Sequence, residues 1–129
     1  MSRQPYVREV PRVTWWLKQP RYIRYMMREI SAALIGTYIL IVIVGLVRLS
    51  QGQAAYEAFL GAVWSQLGVT FSIIALLFAL YHSYTWFQVT PMAMPLRLAG
   101  KRVPGAVIVV AHWLGFAVAS TVLLALARG

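Results

Sequence analysis

The chain has 129 residues, 60% hydrophobic and only 12% charged, with a mean hydropathy of +0.69, which excludes a soluble domain and marks an integral membrane protein. Twelve Lys and Arg against three acidic residues give a net charge of +9 and a pI of 10.7, yet the basic groups flank the apolar runs, so the excess reads as membrane orientation and no nucleic-acid partner is expected. With no cysteine, the chain by itself holds neither an iron–sulfur cluster, nor a c-type haem, nor a disulfide.

Residues 1–20 interleave Arg3, Arg8, Arg12 and Lys18 with Tyr6, Trp15 and Trp16, and the prolines at 5, 11 and 20 argue against a continuous helix. The segment reads as an arm on the cytoplasmic membrane surface, with its tryptophans at headgroup level or against a soluble partner. It has no short apolar core with a small-residue cleavage site, so no cleaved signal peptide is expected.

A first span is predicted over 21–50. From Ile30 to Val47 no side chain is charged, roughly 27 Å of helix at about 1.5 Å per residue and close to one hydrocarbon core. Glu29 therefore stands at the seam between the basic segment and the apolar run. On a helix it shares a face with Tyr25, Met26, Ala32 and Ala33, while Arg28 points about 100° away, so Glu29 has no cation on its own helix. Either it reaches into water, or it is met by another helix, a proton or a polar ligand. Ala32 and Gly36 on the same face form a small-xxx-small pair that admits a neighbouring helix.

Residues 51–62, with Gly52, Gln53 and Glu57, read as a short polar connection on the periplasmic side, long enough for an interfacial helix carrying Tyr56 and Phe59. A second span is predicted over 63–90, ending at Thr90-Pro91 because proline disfavours helix at the preceding residue. A cytoplasmic loop follows over 91–103, with Pro95, Arg97, Gly100, Lys101 and Arg102. The third span, 104–127, is free of charge and carries Ala111, Gly115 and Ala119 at intervals of four, a row suited to close helix contact. Basic residues number seven before the charge-free run of the first span, one in or near the first loop and three in the second, with Arg128 at the end, so the N-terminus should be cytoplasmic and the C-terminus periplasmic.

The second span must run back toward the start of the first, and its last turns lie at the level of residues 28–29. His82 and Trp86, four apart, share one face of those turns, with Ser83 on the same side. An acid, an imidazole, an indole N–H and a guanidinium at a membrane edge match the needs of a quinone: hydrogen bonds to its oxygens and an acceptor for its protons. Each residue also has an ordinary reading, tryptophan as a belt residue and histidine as an interhelical hydrogen bond. His112, in the third span, is by default a polar packing residue; paired with His82 it would offer two axial imidazoles to a b-type haem, which spacing alone leaves open.

The motifs Pro5-Tyr6-Val7-Arg8, Thr14-Trp15-Trp16, Tyr25-Met26-Met27-Arg28-Glu29, His82 and Thr85-Trp86-Phe87 together resemble the C subunit of bacterial quinol:fumarate reductase. The resemblance covers nearly the whole chain, is most specific over 5–29 and 82–87, and is looser in the third span, where Trp113 and the glycine–proline entry correspond. It implies an all-α membrane anchor of three transmembrane helices, bundled with a second three-helix membrane anchor, the D subunit, in the bacterial inner membrane. A flavoprotein carrying covalent FAD and an iron–sulfur protein, the A and B subunits, would sit on the cytoplasmic face. Menaquinol would be oxidised near the iron–sulfur protein, and fumarate reduced to succinate in anaerobic respiration. The family's quinone-site residues map onto Arg28, Glu29, His82 and Trp86, with Glu29 as the proton acceptor. His112 departs from the family's pattern. Two other classes compete: a haem b anchor of a succinate dehydrogenase, and a small assembly or transport protein with no quinone.

Overall fold

A computed structural model describes residues 5–129, which form four α-helices and one short hairpin. Up to Thr14 the described arm lacks regular structure, as its prolines require, and Trp15–Lys18 make one turn of 3-10 helix. The Trp15 ring lies edge-on against Tyr22 at 5.4 Å between centroids, tying the arm to the first turns of the helix that follows.

That helix, α1, spans Pro20–Ser50 and opens on its proline, where the missing N–H has no helical partner to lose. It stops at Gly52, whose φ of 115° lies in the left-handed region that glycine occupies without strain. The chain reverses there into α2, Gln53–Val63, an 11-residue helix in the stretch expected as a polar connection. Its Phe59 ring rests on Gly45 of α1, where a Cβ would sit 2.7 Å from the ring edge.

The next helix, α3, spans Gln66–Ala93 and differs at both ends from the expected 63–90. At its start Val63 still belongs to α2, and the Ser65 hydroxyl accepts the Gly68 N–H at 3.2 Å, an N-cap that places the first helical residue at Gln66. At its end the helix runs through Pro91. Proline removes one donor, but in the last turn that loss is confined to a single bond, and the next bond, Met94 N–H to the Thr90 carbonyl, forms at 2.8 Å. Pro91 also packs against Gly105, with 3.2 Å from its Cβ to a Cβ built there, so the extra turn seats the following helix.

The loop contains a hairpin of β1, Arg97–Leu98, and β2, Lys101–Arg102, with Arg97 opposite Arg102. Ala99 and Gly100 turn it with φ of 50° and 78°, the sense that matches strand twist. The last helix, α4, spans Gly105–Arg128.

Three of these helices, α1, α3 and α4, are long and apolar enough to cross a membrane. Among the described residues α3 lies between α1 and α4, which do not touch each other. Little is buried: Ala75 and Ile108 among apolar side chains, Ser31 among polar ones, and Gly45 under Phe59. The remaining apolar surface faces outward, as it does where lipid or another span replaces water. Ala32, Gly36, Ala111, Gly115 and Ala119 lie on surface that the other helices leave open, and a Cβ added at Gly36 or Gly115 would meet nothing within 4 Å. Among the described residues no helix covers either small-residue row.

Candidate functional site

The antiparallel seam of α1 and α3 brings three of the four expected site residues together. On α1, Arg28 turns toward α3, and its guanidinium carbon lies 5.2 Å from the centre of the Trp86 ring, a cation–π distance. The His82 and Trp86 rings are 6.1 Å apart between centroids and tilted by 53°, as their spacing of four on one helix dictates. Tyr81 anchors the same level of the seam, its hydroxyl donating to the Arg24 carbonyl at 3.1 Å.

Beneath Arg28 is a residue that sequence reasoning missed. Ser31 is fully buried, and its hydroxyl donates to the Arg28 carbonyl at 2.5 Å while standing 2.9 Å from His82 Nδ1. The signal in the sequence was positional: Ser31 is the first polar residue inside the charge-free run and sits three places after Arg28, on the same face.

Glu29 is not part of this cluster. It is exposed, about 100° around α1 from Arg28, and has no hydrogen bond or ion pair among the described residues. It lies instead on the open face with Ala32 and Gly36.

The cluster has unused hydrogen-bonding capacity. Arg28 Nε is buried, yet it has no acceptor among the described residues. A buried donor left without an acceptor costs on the order of 1–3 kcal/mol, more for a charged group, which favours a polar ligand or a neighbouring chain at this position. Trp86 is 45% exposed, so the aromatic wall beside the guanidinium is open on one side. A planar ligand with oxygens at its rim would find there a flat ring, a guanidinium edge, an indole donor and an imidazole.

His112 belongs to a different environment. Its Nδ1–H donates to the Ile108 carbonyl at 2.8 Å, one turn back on α4, and its ring packs on Phe87 at 5.3 Å. Phe87 also meets Trp113 edge-on at 5.0 Å and Phe116 at 6.3 Å, so the α3–α4 contact is an aromatic cluster. His82 and Phe87, five positions apart, point about 140° away from each other on α3. The two histidines thus address different sides of that helix.

A family model described as the C subunit of fumarate reductase matches residues 1–128. Among curated relatives, the fumarate reductase C subunit of Vibrio vulnificus strain YJ016 is 39% identical over 123 residues, covering 95% of this chain and 96% of the relative. The same protein of Vibrio parahaemolyticus is 38% identical over the same shares, and that of Aliivibrio fischeri is 38% identical over 97% of this chain and 96% of its own. Agreement along the whole length, joined to three helices long and apolar enough to cross a membrane, shows that the chain belongs to the family of fumarate reductase C subunits, membrane anchors of an oxidoreductase complex.

Proposed function

We propose that this protein supplies part of the site at which menaquinol is oxidised, on the α1–α3 seam around Arg28, His82 and Trp86. The observation that carries the reading is the buried Arg28 Nε, which has no acceptor among the described residues and stands beside an open tryptophan face and an imidazole. Arg28 and Trp86 donate to one oxygen of the quinone ring, and His82 hydrogen-bonds an oxygen as well. Glu29, exposed and off the seam, is the carboxylate toward which protons leave as the quinol loses two electrons. Those electrons pass to an iron–sulfur partner and then to the flavin of a flavoprotein partner, where fumarate takes up two electrons and two protons to become succinate. The second three-helix membrane anchor covers the small-residue faces and completes the pocket. The complex resides in the bacterial inner membrane, with the basic arm and hairpin cytoplasmic and α2 periplasmic, following the excess of Lys and Arg.

The test is a split between two assays on the membrane-bound complex. Arg28→Leu should lower quinol-dependent fumarate reduction by about 100-fold or more, the loss of a charged hydrogen bond and its stacking partner, while fumarate reduction by a soluble artificial donor persists. Equal loss of both reactions would assign Arg28 to assembly, and loss of neither would remove the seam from quinol chemistry.

A further inference from the structure

Ser31 is the fully buried polar side chain among the described residues, and it touches two groups of opposite helices. A hydroxyl has one proton, and a carbonyl oxygen only accepts. With that proton donated to the Arg28 carbonyl at 2.5 Å, only lone pairs of Ser31 Oγ remain to face His82 Nδ1 at 2.9 Å. The contact is then a hydrogen bond only when Nδ1 carries the proton. In a neutral imidazole the other nitrogen, Nε2, is thereby an acceptor.

We infer that Ser31 is a positioning residue that fixes His82 in the Nδ1–H tautomer, so that Nε2 accepts from a ligand hydroxyl and the site favours the reduced quinol over the oxidised quinone. This rests on the seam being the quinol site. Quinol presents O–H donors at its rim and quinone only carbonyl acceptors, so an accepting Nε2 distinguishes them, while the Arg28 and Trp86 donors serve both forms. The Ser31 oxygen is itself held by its bond back to α1, three residues away, and its burial excludes water as an alternative partner for Nδ1. One backbone carbonyl of α1 therefore sets, through one hydroxyl, which nitrogen of an α3 imidazole is open to the ligand.

The experiment compares Ser31→Thr, which keeps the hydroxyl, with Ser31→Val, which matches threonine in shape and lacks it. Both are made in the whole complex, and a short-chain naphthoquinol is the substrate with its naphthoquinone as competing product. Ser31→Val should raise KM for the quinol by about tenfold, the worth of one hydrogen bond in a closed site, and leave the inhibition constant of the quinone nearly unchanged; Ser31→Thr should behave as wild type. In a His82→Gln background the Thr and Val variants should be indistinguishable, because the hydroxyl acts through the imidazole. An equal change in quinol and quinone constants, or the same Val effect without His82, would overturn the inference while leaving the seam as the quinol site. If His82→Gln alone leaves quinol kinetics at the wild-type level, the seam reading itself falls. Should Ser31→Val fail to assemble, seen as loss of the soluble-donor reaction, 15N spectra of histidine-labelled wild-type complex decide, with the His82 signals identified by difference from His82→Gln. Protonated Nδ1 with bare Nε2 supports the assignment, and the reverse tautomer contradicts it.

Discussion

Helix α3 carries two neighbouring residues, Trp86 and Phe87, that face different worlds. Trp86 looks onto the seam with α1, where a guanidinium, an imidazole and a buried serine meet and one buried donor lacks an acceptor among the described residues. Phe87 looks onto α4, where it is surrounded by the rings of His112, Trp113 and Phe116 and where the one imidazole already bonds its own helix. Aromatic content does not separate these regions. What separates them is a buried polar atom without a partner: among the described residues the seam has one in Arg28 Nε and the α3–α4 contact has none, and a buried donor to spare marks a place for a ligand or another chain.

Substitution of the two neighbours tests the contrast most strongly. Trp86→Leu should lower quinol oxidation per assembled complex by roughly 10- to 100-fold, since it removes both an indole donor and a cation–π wall, with soluble-donor turnover retained. Phe87→Ala should do the converse: each lost aromatic pair is worth on the order of 1 kcal/mol, so the amount and thermal stability of the complex should fall while quinol turnover per complex stays near wild type. An exchange of these outcomes would erase the distinction between the two faces. The smallest effect is expected for His112→Phe, which keeps a ring against Phe87 and loses only a bond to its own helix, so both activities should stay close to wild type. Loss of a reduced b-haem optical band in that variant would instead return His112 to a ligand role.

Much of the fold was legible because lipid imposes a simple condition on sequence. Charge-free runs bounded by Lys and Arg mark spans, and α1, α3 and α4 occupy the three runs so identified. The ends of α3 were less legible for local reasons: Ser65 caps the helix after a turn that composition does not reveal, and Pro91 is tolerated where only one bond is lost and Gly105 is there to receive it. The meeting of Arg28 with His82 and Trp86 follows from antiparallel neighbours and a spacing of four. Ser31 was legible only in its position on the Arg28 face, because a helical serine commonly bonds back to its own helix, and the one-dimensional pattern does not distinguish that from a hydroxyl that also crosses to the next one. Glu29 shows the opposite case. Its place at the seam between the basic segment and the charge-free run was plain from sequence, but α1 turns it away from the cluster onto an open face, where the small residues Ala32 and Gly36 leave room for another helix.

The most direct measurement of the central claim is photolabelling of the complex with an azido-naphthoquinone, competed by excess naphthoquinol, followed by peptide mapping of this protein. A quinol site on the seam requires competable label within residues 24–31 and 81–90. Competable label confined to the α3–α4 side, among Phe87-facing residues such as Trp113 and Phe116, would contradict it.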